Sequence, residues 1–147
     1  MTGRRYFEDF GEGDTFESET FTLSREEIIA FAKLYDPQPF HIEDAAAAES
    51  FFGRLVASGW QTAAVTMRLI VRSGAFEGGV VGAGVDELRW SVPVGPGDTL
   101  RVRGEVVEKK SLPGKRRGFV RFRMETFNQE NVPVMTMFTN CIVPMRP

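Results

Sequence analysis

One histidine and one cysteine are all that this 147-residue chain holds of the residue types on which zinc centres and many nucleophilic sites rest. The lone cysteine, Cys141, cannot close an internal disulfide, which fits a reducing compartment such as the cytoplasm. One imidazole and one thiol leave a histidine/cysteine zinc site short of ligands, so no metal is expected. Neither sign of charge predominates. Eighteen Lys and Arg oppose 20 Asp and Glu for a net charge of −2, so the chain as a whole has no pull toward nucleic acid or anionic membrane. No run approaches 18 uncharged apolar residues, and no membrane-spanning helix is expected. The opening MTGRRYFEDFGEGD is charged and has no apolar segment of the kind a secretory leader needs. Repeats, low-complexity tracts and long linkers are missing too, and the length suits one domain over residues 1–147. The glycines of GGVVGAG (Gly78–Gly84) lack the strand-then-helix setting of a dinucleotide fingerprint and read instead as a place where a sheet bends closely over a helix.

Phenylalanine, in contrast, is plentiful. Thirteen of them suggest either a core of large rings or an apolar surface reserved for a ligand or partner. The order of patterns along the chain is informative. Thr15–Leu23 alternates in part and reads as a short strand. SREEIIAFAKLYD follows as a helix, with Ser24 and Glu27 forming a capping box and Ile28, Ile29, Ala32 and Tyr35 forming an apolar stripe. Pro37 ends it. Alanine-rich Glu43–Ser50 reads as a short helix, and Gly59–Gly74 as a long apolar one buried in the middle of the fold. Four strand patterns complete the chain, broken at PVGPGD, SLPGKR and NQENVP. Short connections between them imply an antiparallel sheet. The expected fold is α+β, a curved antiparallel sheet wrapped around a long central helix.

The sole histidine lies in YDPQPFH, Tyr35–His41, five residues after Asp36. Fully extended, that spacing would separate the two by about 16 Å. The segment must bend for both side chains to meet, and Pro37 and Pro39 restrict it in the unfolded chain, so that holding a bend costs less. The stretch reads either as a stiff loop leaving a helix or as a platform for an acid/base pair.

The order strand, helix, D-x-x-P-x-H loop, Ala-rich helix, VASGWQT (Val56–Thr62), central helix and VPVGPGDTLRVRGEV resembles the MaoC-like hydratases, hot-dog fold proteins whose (R)-specific enoyl-CoA hydratases are the best understood branch. The resemblance runs from about Phe16 to Val143. It implies that Asp36 and His41 are the catalytic pair and that the Gly59 amide is the oxyanion donor. It places Gln38, Ser58 and Trp60 at the substrate. Coenzyme A is implied as part of the substrate, an acyl-CoA thioester, with no separate cofactor, and the family normally forms dimers that join two sheets edge to edge. This chain departs from the pattern in having Gln38 for an asparagine, an extra proline, Pro37, directly after the aspartate, and Ser58 for a histidine. The family's helix serine falls near Met67, beside Thr66.

That chemistry suits the residues. Hydrating an enoyl thioester needs proton transfer near neutral pH, which an imidazole performs. It also needs a donor for the enolate oxygen, which helix-start amides supply. A hot-dog thioesterase and a non-catalytic acyl-CoA binding domain stand as alternatives. Lys115–Arg117, with Lys109 and Lys110, read as a charged hairpin tip that keeps a sheet edge soluble, or else as a lure for coenzyme A phosphates. Asp98 reads as a turn residue and Cys141 as a small core residue.

Overall fold

β-Branched and aromatic residues alternate with polar ones over the last 60 residues, and this alternation builds the sheet. The computed structural model describes residues 5–147; residues 1–4, the start of the stretch read for a leader, lie outside the described residues. Strands β3 (Val81–Trp90), β4 (Thr99–Ser111), β5 (Arg117–Phe127) and β6 (Pro133–Pro144) form one antiparallel sheet with two short strands, β1 (Thr15–Glu17) and β2 (Phe21–Thr22). The predicted single strand over Thr15–Leu23 is thus two pieces on the same edge of β4. Between them the Ser18 hydroxyl accepts the Val102 N–H at 2.8 Å, replacing a ladder bond.

The sheet order is β1-β4-β5-β6-β3. β4, β5 and β6 pair in succession, as their short turns require. β3 does not pair with β4. The SVPVGPGD connection carries the chain across the sheet, and β3 lies beside β6 at the far edge. Bulges interrupt that pairing at Gly82/Gly84 and at Asp86/Arg89, where Glu87 takes a φ of 49°. A Cβ on Gly82 would meet nothing within 4 Å, so this glycine serves the bulge and not a close approach to the helix.

The helices are α1 (Arg25–Tyr35), α2 (Asp44–Ala48) and α3 (Gly59–Arg72). α1 starts at the predicted capping box: Ser24 Oγ accepts from Glu27 N at 3.1 Å, and Glu27 Oε1 from Ser24 N at 3.0 Å. Ile28 and Ala32 are buried, whereas Tyr35 of the predicted stripe is exposed at the last turn, where the chain leaves the core. α3 crosses the sheet's inner face. Leu69 and Ile70 are fully buried, each contributing about 1.5–3 kcal/mol, and Thr66 is hydrogen-bonded to Thr126 of β5 at 2.6 Å. Around Phe122 the rings of Phe10, Phe16 and Phe76 pack at centroid distances of 5.3–6.4 Å. Cys141 lies in the same core, where burial pushes its thiol up to about 11.

α3 is not sheltered on all sides. Trp60, Ala64, Met67 and Val71 recur at i, i+4, i+7 and i+11 and leave an apolar stripe bare. The stripe adjoins β3, since Trp60 and Trp90 meet edge to face at 5.1 Å. Trp60, Met67 and Val71 of the helix and Val81, Val85 and Trp90 of the strand are 41–60 % exposed. The other flank of α3 is tied down: Arg72 pairs with Glu19 at 2.7 Å and Arg68 lies over the Phe21 ring.

Candidate active site

The loop after α1 brings Asp36 and His41 together by two successive tight turns. Pro37 ends α1, and Gln38 N bonds back to Asp36 O at 2.8 Å across it. Pro39 opens a one-turn helix, Pro39–His41, in which its missing N–H costs nothing. His41 N then bonds to Gln38 O at 2.9 Å. These turns replace the extended separation of about 16 Å by a gap of 3.3 Å between His41 Nε2 and Asp36 Oδ2.

Both side chains are held from behind. His41 is 5 % exposed, and its Nδ1 lies 2.7 Å from the Val56 carbonyl oxygen. A carbonyl only accepts, so Nδ1 donates there and the ring turns Nε2 toward Asp36. Asp36 Oδ1 accepts from Gln38 Nε2, and Oδ2 from Ser58 Oγ, both at 2.7 Å. Burial raises the Asp36 carboxyl, but the hydrogen bonds from Ser58 and Gln38 and the neighbouring His41 outweigh it and hold the group below the usual carboxylate range. The site therefore carries a carboxylate and an imidazole nitrogen that face one another across 3.3 Å. A water beside them can donate one hydrogen to each.

Ser58 links this pair to α3. It caps the helix, accepting from Trp60 N at 3.2 Å while donating to Asp36. It is fully buried and does not reach the cavity, so its place is behind the carboxylate and not against a ligand. Gly59 is the first residue of α3 and lies on the cavity wall. Its N–H is one of the helix-start donors that no intrahelical carbonyl meets. A Cβ here would stand 2.6 Å from the Trp90 ring, so close packing of the indole requires glycine.

The cavity has a volume of ≈450 Å3, within the range of small-molecule sites. Asp36, Gln38, His41, Gly59 and Trp60 all line it. Its apolar walls come from Phe40, Phe51, Phe52, Trp60, Trp90 and the Val92–Val94 segment. Of the phenylalanines, Phe7, Phe10 and Phe122 are buried in the core, and Phe40, Phe51 and Phe52 line this cavity. Phe51 stands 98 % exposed at its rim, edge to face with Phe52 at 5.5 Å. Of the two residues near the family's serine, Met67 lies on the bare stripe and Thr66 faces the sheet. Ser91 lies on the cavity wall, and the hydroxyl-bearing residue that α3 contributes to that wall is Thr62, one turn after Gly59. The helical i, i+3 spacing from Gly59 marked it in the sequence. Nothing local marked Trp90 or Val92–Val94, which arrive through the β3 crossover. Asp98 closes the predicted turn, accepting from Gly95 N at 2.8 Å and from Gln129 Nε2 at 2.9 Å.

A model of the MaoC-like domain matches residues 9–126. The chain belongs to the MaoC-like domain family. Its fold is the hot-dog fold of MaoC-like dehydratases. It is similar to the MaoC-like dehydratase from Rhodospirillum rubrum, with 41% identity, 97% of this chain and 99% of that chain covered, and a TM-score of 0.93. The R-hydratase PhaJ1 from Pseudomonas aeruginosa is 28% identical, with 96% and 86% covered and a TM-score of 0.74. Protein MaoC of Klebsiella aerogenes is 36% identical over 101 residues, which are 68% of this chain and 30% of that longer protein. Among the described residues no helix is long and apolar enough to cross a membrane.

Proposed function

We propose that this MaoC-like protein is a hydratase/dehydratase for acyl-CoA thioesters, adding water reversibly to a trans-2-enoyl-CoA to give the (R)-3-hydroxyacyl-CoA. The observation that carries the reading is the 3.3 Å convergence of His41 Nε2 and Asp36 Oδ2 on a cavity that the first residue of α3 also lines. Water hydrogen-bonded beside the pair keeps a lone pair free for the β-carbon. As it attacks, one of its protons passes to the pair. A proton delivered from the pair to the α-carbon completes the addition, and all atoms of the water end in the product. The thioester oxygen, which gains charge meanwhile, is received by the Gly59 N–H with the positive end of the α3 dipole behind it. Gln38 and Trp60 border the substrate, and Ser58 holds Asp36 in place. The PhaJ1 likeness, named as an R-hydratase, supports the stereochemistry.

The working unit is a homodimer. β3 is an edge strand with a bare apolar flank, and α3 exposes an apolar stripe next to it. Two copies related by a two-fold axis can pair these edges antiparallel and cover both surfaces. The compartment proposed is the cytoplasm, and no metal or redox group enters the chemistry.

Crotonyl-CoA tests the reading. Loss of enoyl absorbance without thiol release is expected. Thiol release would assign a thioesterase instead, and binding without turnover a carrier of acyl-CoA.

A further inference from the structure

A second cavity, of ≈530 Å3, lies at the opposite end of β3 from the first. Lys115, Arg116 and Arg117 of the β4–β5 hairpin line it, with Gly78, Gly79 and Val81 at the approach to β3. No carboxylate does. Among the described residues none of the three cations forms an ion pair; Arg116 donates to the Arg146 carbonyl at 3.1 Å, which leaves its charge uncompensated. The neighbouring strands behave differently. Arg121 pairs with Asp86 at 2.6 Å and Arg123 with Glu105 at 2.8 Å. A hairpin tip that only protects an edge has its charges pointing into water. Here three adjacent cations border a concavity, where their mutual repulsion works against folding and favours an anion. Two guanidiniums and an ammonium suit phosphate oxygens.

β3 runs from Val81 at this cavity to Trp90 at the other. Ten residues of strand cover about 30 Å, so the two cavities of one chain are far apart. Antiparallel pairing of two β3 edges about their midpoint changes this. It lays the Val81 end of one subunit beside the Trp90 end of the other. We infer that the basic hairpin of one subunit binds the phosphates of the thioester whose acyl end occupies the other subunit's cavity. The inference rests on the coenzyme A thioester and the paired edges proposed above.

Steady-state hydration by the Lys115→Ala/Arg116→Ala/Arg117→Ala protein tests it, with crotonyl-CoA and the phosphate-free crotonyl-pantetheine compared. KM for crotonyl-CoA is expected to rise about tenfold or more, with kcat and the KM for crotonyl-pantetheine little changed. An unchanged KM for crotonyl-CoA overturns the phosphate contact. The Lys115→Gln/Arg116→Gln/Arg117→Gln protein replaces the alanine variant if its thermal midpoint falls. Mixed dimers with Asp36→Asn then locate the hairpin. One site in such a dimer joins an intact pair to an intact hairpin across the boundary, so low-KM activity is expected to return. Persistence of high KM overturns the arrangement across subunits. If the wild type hydrates neither thioester, the reaction assigned above fails by itself. Calorimetric binding of adenosine 3′,5′-bisphosphate then decides the phosphate site, and equal affinity for wild type and triple variant overturns it.

Discussion

The two ends of β3 are built on opposite principles. At the Trp90 end, two ionisable side chains sit among rings and are held by Ser58, Gln38 and the Val56 carbonyl. At the Val81 end, three cations stand together with no ion-pair partner among the described residues. The first arrangement places charge by short hydrogen bonds in a sheltered site, where a displacement of 1 Å matters to chemistry. The second asks only that positive charge be near, and is open to screening over about 10 Å at 0.1 M salt. Placing a reacting atom needs the first kind of construction, whereas holding a distant anionic group needs only the second.

The contrast breaks most plainly at the pair. Asp36→Asn keeps an oxygen that accepts from Ser58, and His41→Gln keeps a donor near Val56. Each is expected to lower the hydration rate by about 10²–10⁴, measured as enoyl absorbance loss. Near-normal rates in both variants would remove these two residues from the mechanism. Next comes the surface that joins the two ends. Met67→Glu puts a carboxylate on the apolar stripe that the proposed dimer covers, and is expected to shift the protein from dimer to monomer in sedimentation. A dimer of unchanged strength would place the contact elsewhere.

Smaller effects sharpen the picture of the rigid end. Gly59→Ala drives a methyl into the Trp90 ring and is expected to cost about 1–3 kcal/mol in denaturant unfolding. Adding Trp90→Ala removes the opposing ring, so the two costs should not sum. Ser58→Ala removes a cap and a partner of Asp36, at about 1 kcal/mol. A pH signature belongs to Asp36 itself. Its carboxyl is held low in the folded protein, so the unfolded chain binds more protons in acid, and stability rises with pH there. The contribution is present above the unfolded value of about 3.9 and is lost as pH falls through the lower folded one. The stability gap between wild type and Asp36→Asn, followed by urea midpoints, should therefore narrow on acidification across that window. An invariant gap would mean that Asp36 makes no net gain from its partners.

Much of this was legible before any coordinates. The strands from β4 to β6 alternate over most of their length and their turns carry Pro, Gly and Asn, so period and punctuation agree. The Ser24 capping box and the Pro37 stop are local signals, and each lies where the residues placed it. The family order of motifs pointed to Asp36, His41 and Gly59, which line one cavity. What could not be read was long-range. The exposure of Tyr35, the bare stripe on α3 and the pairing of β3 with β6 depend on which surfaces meet. Ser58 looked like a residue facing the substrate, yet it lies behind the carboxylate. The basic hairpin read as edge protection or as a lure for phosphates, and sequence order hides the concavity it borders.

Local chemistry is written in consecutive residues: caps, proline restraints and the two-residue period of strands follow from the backbone within a few positions. That is why the helices, the hairpins and the bend between Asp36 and His41 can be inferred from the chain alone. The crossover of β3, the Trp90 ring over Gly59 and the separation of the two cavities arise when distant segments compete for the same buried space. Those choices are made by packing and loop closure across the whole molecule, so only the folded arrangement decides them.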